Sequence, residues 1–221
     1  MMSVENREQK VEEAGRLSTT SPLLILLSAP SGGGKTTLSN ELLAARPQTT
    51  RAVTCTTRPP RPGEQDGVDY YFLDAGSFLK RVQAGNFLEH ATVYGNSYGI
   101  LKAEVVGKLR QGKDVLLTVD VQGASTIRAR AMEEAELKRS LVTVFLTPPN
   151  LEILEARLRK RNTDDNAVIQ KRLSLAKQEF AQWKHFDYLV LSTSIKEDLR
   201  RMLAVVEAEK MRSNRATPPE F

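Results

Sequence analysis

The sequence predicts an α/β fold, a mostly parallel β-sheet with helices on both faces that is interrupted once by an inserted α+β segment. Five short apolar segments alternate with segments of helical periodicity, which is the order that builds parallel sheets. Two of the five are nearly continuous apolar runs, as expected of strands buried on both faces. The five candidate strands are residues 22–27, 51–54, 115–120, 141–146 and 187–191.

The composition narrows the class of protein. The net charge of +5 suits a polyanionic ligand, and free nucleotide is favoured over nucleic acid because no sustained basic stripe is interleaved with aromatic residues. No apolar run approaches the ~20 residues that span a bilayer, and the polar N-terminus resembles neither a signal nor a transit peptide. The one cysteine, Cys55, excludes an intrachain disulfide. We therefore expect a cytoplasmic protein with no membrane or nucleic-acid partner.

The strand–helix alternation stops between residues 55 and 99. This segment contains short strand-like runs, one helical pattern and a stretch rich in proline, glycine and arginine, which favours turns. We predict that 55–99 is a subdomain inserted into a core of residues 21–54 and 100–212. Residues 1–20 are predicted to be a disordered tail and residues 213–221 a frayed one.

A glycine-rich stretch joins the first strand to the first helix, and its sequence is Ser28-Ala29-Pro30-Ser31-Gly32-Gly33-Gly34-Lys35-Thr36-Thr37. The spacing fits G-x-x-x-x-G-K-[ST], except that Ala29 holds the first glycine position. Glycines let backbone N–H groups converge on an anion, and the helix N-terminus adds partial positive charge. Residues 29–37 are thus predicted to hold a nucleoside triphosphate, with Lys35 on its β- and γ-phosphates and Thr36 on Mg²⁺. The alternative, a glycine-rich turn with a surface lysine, is disfavoured by the flanking strand and helix.

The inserted segment carries residues suited to a second phosphate group. Arg58 and Arg61 are three residues apart in a stretch stiffened by proline, and guanidinium groups bind phosphate bidentately. Tyr70 and Tyr98 offer hydroxyl donors. Glu89 has acceptor oxygens alone, which match the adjacent N1–H and N2–H₂ donors of guanine. Because adenine lacks this donor pair, the sequence favours guanine.

Several further motifs follow the glycine-rich stretch along the chain. In order, they are Thr56-Thr57-Arg58-Pro59-Pro60-Arg61-Pro62-Gly63-Glu64, Asp69-Tyr70, Phe87-Leu88-Glu89, Gly95-Asn96-Ser97-Tyr98-Gly99, Asp120-Val121-Gln122-Gly123, Pro148-Pro149 and residues 157–172. Together they make the chain similar to the guanylate kinase family over roughly residues 22–210. The resemblance implies a P-loop NTPase core, a GMP-binding subdomain and a helical lid at about residues 156–173. It also implies phosphoryl transfer from ATP to GMP with Mg²⁺ as cofactor.

The resemblance implies a role for individual acceptor-side residues. The positions that match the family's ligands of the GMP phosphate are Arg58, Arg61, Tyr70 and Tyr98. Glu89 matches its guanine-reading carboxylate, and Thr54 falls where a family serine contacts the base or phosphate side. Asp120 stands where the family has an aspartate near the acceptor base and the metal-bound water.

On the donor side, the resemblance concerns the arginines of the lid. Arg157, Arg161 and Arg172 match residues of the lid and its flank that close over the donor phosphates, the first two as ATP ligands. The residues implied to stabilise the transferred phosphoryl group are Lys35, Arg61, Arg161 and Arg172.

Two positions depart from the family pattern. Ile100 replaces a Thr or Ser whose hydroxyl contacts guanine O6, and Thr118 replaces one aspartate of Leu-Asp-x-Asp-x-Gln-Gly. Both concern the acceptor base, so they put acceptor affinity and base selectivity in question.

Two alternative functions are weighed against this one. A kinase for another nucleoside monophosphate is disfavoured by Glu89, and an interaction module without catalysis is disfavoured by the retained Lys35 and lid arginines. The choice between GMP and dGMP, and between a monomer and a weak homo-oligomer, stays open.

Overall fold

The structure, a computed structural model, describes residues 21–160 and 166–216. The predicted N-terminal tail and Arg161 therefore lie outside the described residues. Within this part of the chain the strands are β1 (Leu24–Ser28), β2 (Thr49–Arg51), β3 (Thr54–Thr56), β4 (Tyr70–Phe72), β5 (Phe87–Val93), β6 (Asn96–Leu101), β7 (Asp114–Val119), β8 (Leu141–Thr147) and β9 (Tyr188–Leu191).

Helices connect most of these strands. The α-helices of the described residues are α1 (Lys35–Ala45), α2 (Ala75–Gln83), α3 (Lys102–Arg110), α4 (Val121–Met132), α5 (Ala135–Ser140), α6 (Leu151–Lys160), α7 (Asn166–Phe180) and α8 (Ile195–Lys210). A short 3₁₀ helix covers Trp183–His185. In the described part of the chain, no helix is both long and apolar enough to cross a bilayer.

The predicted α/β class is confirmed. A five-stranded, entirely parallel sheet has the order β2-β7-β1-β8-β9. Successive side chains of a strand point to opposite faces of the sheet. Residues 23–27 therefore belong alternately to two separate apolar clusters. One cluster joins Ile25 and Leu27 to α1 and α8, and the other joins Leu24 and Leu26 to α3 and α4. The central strand is thus buried on both faces.

The predicted strand at residues 51–54 is wrong. β2 ends at Arg51 and β3 begins at Thr54, and the two strands belong to different sheets. Between them, the Val53 N–H donates to Glu104 Oε1 at 3.1 Å and not to a neighbouring strand. The β-branched and apolar residues here therefore mark the crossing point from one sheet to the next.

The second sheet is built by residues of the inserted segment and has the order β4-β3-β6-β5. β3 and β4 are parallel, and the other two pairs are antiparallel. Helix α2 covers one face, where Phe78 stacks on Phe87 with ring centroids 4.6 Å apart and the Cys55 side chain is fully buried. The other face turns toward the parallel sheet, since Ile100 of β6 belongs to the same apolar cluster as Leu117 of β7.

The described residues beyond α8 pack against the parallel sheet. Arg215 is 5% exposed, and its guanidinium donates to the carbonyl oxygens of Arg139 and Leu141 at 2.8 and 2.9 Å. The Ser21 N–H donates to the Arg215 carbonyl at 3.1 Å. This part of the predicted C-terminal tail is therefore held to the start of the described chain.

Candidate active site

The glycine-rich stretch forms a tight loop, called here the phosphate loop (residues 28–37), at the carboxyl edge of β1. Gly34 is the N-cap of α1 with φ +100°, and no side chain caps this helix end. The first backbone N–H groups of α1 are thus available for an anion. The Gly33 N–H donates to the Pro30 carbonyl at 2.9 Å, which fixes the turn that leads to them.

Lys35 lies at the centre of this loop. Its Nζ donates to the carbonyl oxygens of Val119 at 3.0 Å and Ala29 at 3.4 Å, so it bridges the carboxyl ends of β1 and β7. Burial lowers the pKa of Lys35, and the carboxylates of Asp120 and Glu179 oppose that shift. The carboxyl edge of a parallel sheet is where ligands bind in open α/β folds. The position of Lys35 Nζ at this edge suits an ammonium group that contacts the phosphates of a bound ligand.

Helix α6 packs directly on the phosphate loop at Gly32. This residue has φ +85°, and a Cβ built on it would lie 2.7 Å from Leu158 Cδ2 and 3.3 Å from Leu154 Cδ1. Leu154 and Leu158 also pack on α7 through Ile169 and Leu173. The loop and the two helices of the predicted lid region therefore form one packed unit.

We expect Gly32→Ala to raise the KM for ATP severalfold and to lower the melting temperature. Positive φ costs a residue with a Cβ about 1–2 kcal/mol, and the new methyl group must also displace Leu158. Gly112→Ala is the matched control, because Gly112 has φ +76° with nothing within 4 Å of its added Cβ. If the two variants have the same KM for ATP, the contact between α6 and the loop does not shape the donor site.

A cavity of about 420 Å³ opens beside the loop, between Gly34, Arg157 and the turn that follows β9. Arg157 Nη1 donates to Ser192 Oγ at 3.0 Å. Asp198 is 5% exposed and accepts from Ser192 Oγ at 2.6 Å and from the Thr193 N–H at 3.0 Å. Arg157 thus borders this cavity, as a donor-side residue would.

Sequence reasoning missed Ser192 and Thr193, which follow β9, and Asp198, which accepts from both of them in the first turn of α8. The available signal was the N-cap Ser194, whose Oγ accepts from the Glu197 N–H at 3.3 Å and so marks a helix start beside the sheet edge. Arg172 lies on α7, and Arg161 falls outside the described residues.

Four residues of the second sheet form one transverse row, called here the acceptor row. Thr54 pairs with Tyr70 of β4 and with Ile100 of β6, and Ile100 pairs with Glu89 of β5. Residues directly opposite in neighbouring strands share a face of the sheet. The row therefore brings Tyr70, Thr54 and Glu89, all predicted acceptor-side residues, to the face that turns toward the parallel sheet.

The predicted phosphate ligands gather at the Tyr70 end of this row. The Arg58 guanidinium lies 5.5 Å from the Tyr70 ring centroid and donates from Nη2 to both oxygens of Glu64, at 2.8 and 2.9 Å. Hydrogen bonding to Glu64, and to a smaller extent to Tyr98, raises the pKa of Arg58. Glu64 also accepts from the Arg61 N–H at 2.7 Å. Glu64, to which the sequence assigned no role, thus orders the turn that carries both arginines.

Glu89 occupies the other end of the acceptor row. Burial raises the pKa of Glu89, the charge of Asp120 raises it further, and the charge of Arg130 lowers it. Asp120 caps α4, its Oδ1 accepting from the Gly123 N–H at 2.8 Å. Lys35 Nζ donates to the carbonyl oxygen of Val119, the residue before Asp120, and a Cβ on Gly123 would lie 3.4 Å from both Asp120 Oδ1 and Glu89 Cγ. Asp120 therefore lies near both the loop lysine and the predicted base reader, and its charge acts on the pKa of each.

Ile100 and Thr118, the two departures from the family pattern, line the same cavity. This cavity of about 520 Å³ lies between the two sheets and also includes Thr54 and Tyr70. Ile100 is 7% exposed and packs in the apolar cluster of α3 and α4, whereas Thr118 is exposed at the end of β7. Ile100 therefore belongs to the acceptor row, and Thr118 lines the same cavity from β7.

A phosphate loop at the carboxyl edge of a parallel sheet, facing a second polar site on an inserted sheet, defines a P-loop kinase of small phosphorylated acceptors. The family model described as guanylate kinase matches residues 21–209. The chain belongs to the guanylate kinase family.

Individual relatives agree with this assignment. The chain is 43% identical to the guanylate kinase of Coxiella burnetii over 188 residues, which cover 85% of this chain and 88% of the relative. It is 44% identical to that of Alcanivorax borkumensis over 188 residues, covering 85% and 87%. The crystal structure of guanylate kinase from Anaplasma phagocytophilum matches with a TM-score of 0.66 and 30% identity, covering 90% of this chain and 92% of that one.

Proposed function

We propose that this protein transfers the γ-phosphoryl group of ATP to GMP and so forms ADP and GDP. The observation that carries the proposal is that two sites meet near Asp120: Lys35 of the phosphate loop bonds the carbonyl of the preceding residue, Val119, and Glu89 of the acceptor row packs near Gly123, which Asp120 caps. Membership of the guanylate kinase family supports the same reaction.

The donor is proposed to bind along the phosphate loop. Its phosphates would accept from the N–H groups of Gly32 and of residues 34–37, while Gly33 keeps its bond to Pro30 and Lys35 would leave the Val119 carbonyl to contact the β- and γ-phosphates. Arg157 borders the adjoining cavity and is proposed to bind the donor with Arg161. Ala29, Pro30 and Ser31 would form the first part of the same loop.

The acceptor is proposed to lie on the acceptor row. The GMP phosphate would be held by Arg58, Arg61, Tyr70 and Tyr98, and the Arg58 side chain is already oriented by Glu64. Glu89 would accept from guanine N1–H and N2–H₂, with Thr54 and Asp120 beside the bound nucleotide. The cavity between the sheets would take the rest of the nucleoside.

The residues near the loop fit Mg²⁺. Thr36 is exposed in the first turn of α1, next to Lys35, and its hydroxyl is an oxygen ligand of the kind that Mg²⁺ prefers. The Thr36 hydroxyl would be its protein ligand. Bound with ATP, the ion would neutralise charge on the β- and γ-phosphates.

Positioning and charge neutralisation are the main requirements of this reaction, since phosphoryl transfer needs little covalent chemistry from the protein. Lys35 would follow charge on the transferred group, and Arg61, Arg161 and Arg172 would complete the positive surroundings on closure. The acceptor oxygen belongs to a phosphate that is already anionic, so no general base is needed. Closure of the lid, residues 156–173, would exclude water and favour transfer over hydrolysis.

The wider expectations rest on the sequence. We propose that residues 55–99 act as the GMP-binding subdomain of a core that comprises 21–54 and 100–212. A cytoplasmic monomer or weak homo-oligomer without a nucleic-acid partner stays a prediction from composition.

A coupled assay that offers ATP with GMP, dGMP, AMP, UMP or CMP tests the proposed function. We expect turnover with GMP to exceed that with AMP, UMP and CMP by at least an order of magnitude, since a site that pairs with substrate N–H groups rejects bases that lack them. The dGMP rate reports whether the ribose 2′-hydroxyl is read. Equal turnover of AMP and GMP would favour another nucleoside monophosphate kinase, and no turnover at all would favour an interaction module.

We expect Ile100→Thr to lower the KM for GMP by several-fold to about tenfold. A hydroxyl in the acceptor row can bond guanine O6, and one neutral hydrogen bond contributes roughly 0.5–1.5 kcal/mol. The KM for ATP should hardly change. Ile100→Val is the control, because it removes a buried methyl group without adding a hydroxyl. An equal KM for GMP in folded Thr and Val variants would show that position 100 does not contact the base.

A further inference from the structure

We propose that Arg130 is a positioning residue for guanine recognition: it holds the backbone bulge that orients Glu89, and its positive charge acts on that half-buried carboxylate. The inference rests on the proposed function, because it requires Glu89 to read the acceptor base. Neither the sequence motifs nor the family resemblance singled out Arg130. The contacts of this side chain carry the argument.

The bulge lies at the start of β5. Phe87 pairs with Leu101, yet Glu89 pairs with Ile100, so Leu88 is one residue more than β6 provides. In a regular strand, Phe87 and Glu89 would point to the same face. Here Phe87 stacks on Phe78 of α2, while Glu89 joins the acceptor row on the opposite face. The extra residue therefore turns the carboxylate toward the acceptor, a common use of bulges beside active sites.

Arg130 is bonded to this bulge. Its Nη1 donates to the carbonyl oxygen of Phe87, the residue at which the register shifts. The same helix, α4, also meets Glu89 at its other end, since a Cβ on Gly123 would lie 3.4 Å from Glu89 Cγ. One helix thus contacts the bulge backbone and the carboxylate that the bulge orients.

The charges around Glu89 give Arg130 a second effect. Among the described residues, the charged groups that act on the pKa of Glu89 are Asp120, which raises it, and Arg130, which lowers it. Burial raises this pKa more than either charge changes it. Burial and Asp120 therefore favour the neutral acid of Glu89, whereas Arg130 favours the carboxylate. A protonated Glu89 would present a donor to a guanine donor. Arg130 therefore favours the ionised form that recognition of guanine requires.

A purely structural role predicts a different outcome. If Arg130 merely joined α4 to β5, its loss would lower stability and affect both substrates, whatever residue stood at position 89. A residue that acts through Glu89 should change the KM for GMP and not the KM for ATP. Its effect should also disappear when Glu89 is no longer a carboxylate, which is what a double-mutant cycle measures.

The test measures both KM values, and GMP binding by calorimetry, for Arg130→Met and Arg130→Lys, each alone and combined with Glu89→Gln. We expect Arg130→Met to raise the KM for GMP roughly five- to thirtyfold, with the KM for ATP within about twofold of wild type. Arg130→Lys should restore most of the GMP affinity because it keeps a cationic donor. In the Glu89→Gln background, Arg130→Met should add less than about twofold.

Arg110→Met is the matched control, because it removes an exposed arginine that pairs with Glu136 at 2.9 Å on α5. If Arg130→Met does not fold, Arg130→Gln takes its place, since it keeps a donor for the Phe87 carbonyl but removes the charge. An unchanged KM for GMP, or an equal increase with and without the Glu89 carboxylate, would overturn the inference. If Glu89→Gln itself leaves GMP binding unaltered, the base-reading assignment fails as well, which separates the two claims.

Discussion

Replacing Lys35 with alanine is expected to lower kcat by on the order of 10²–10³ while the protein stays folded. In the structure, Lys35 Nζ lies between the carbonyl oxygens of Ala29 and Val119, at the point where the loop meets the sheet edge. Removing one preorganised group that stabilises transition-state charge usually has an effect of this size. The measurement is steady-state turnover with saturating ATP and GMP, beside a circular dichroism spectrum.

Lys113→Ala is the control for this experiment, since Lys113 is an exposed lysine of the turn before β7. Its turnover should equal that of the wild type. Near-normal turnover by folded Lys35→Ala would contradict the donor-site assignment. ATP should also protect the variant less well than the wild type against thermal unfolding, because the stabilisation by a bound ligand rises with the logarithm of its affinity.

The second large effect is expected for Glu89→Gln. The amide would place a donor against a guanine donor, and a buried unpaired group costs ~1–3 kcal/mol, which corresponds to roughly a five- to 150-fold higher KM for GMP. The KM for ATP should stay within about twofold of wild type. Glu133→Gln, an exposed position just beyond α4, is the matched control. An impaired KM for ATP with normal GMP kinetics would mean that Glu89 reads something else.

The wild type and the Glu89→Gln variant should also differ in the pH dependence of GMP binding. Burial and Asp120 raise the pKa of Glu89 above its ordinary value, so its carboxylate is protonated at a higher pH than an exposed glutamate would be. GMP binding by the wild type should therefore weaken as the pH falls through this raised pKa. The Gln variant cannot show that loss, while titration of the GMP phosphate affects both proteins alike. Parallel pH profiles for the two proteins would contradict the role of Glu89.

Much of the core could be predicted because each local signal agrees with the fold. The apolar runs of β7 and β8 and the glycine-rich turn before Lys35 specify buried strands and a phosphate loop by short-range chemistry alone. At residues 51–54 that chemistry was misleading. Ala52 and Val53 suit a strand, but the choice between two sheets is made by tertiary contacts such as that between Val53 and Glu104.

In the candidate site too, residue chemistry could be predicted from the sequence, whereas the arrangement in space depends on the fold. The residue types at Arg58, Tyr70 and Glu89 indicate phosphate and guanine binding from their chemistry. The row that joins Tyr70 to Glu89 across four strands depends on strand register, and the direction of the Glu89 side chain depends on a bulge that the residue types do not predict. Arg130 is 43 residues from the carbonyl that it binds, so only the fold brings the two together.

The most direct test of the proposed reaction follows the phosphorus itself. ATP labelled with ³²P in the γ-phosphate is incubated with the protein, Mg²⁺ and either GMP or AMP, and the products are separated by chromatography. We expect the label to appear in GDP, in a one-to-one ratio with ADP, and hardly at all in the reaction with AMP. Label that accumulates as inorganic phosphate, or that passes equally to AMP, would contradict the proposal that this chain is an ATP:GMP phosphotransferase.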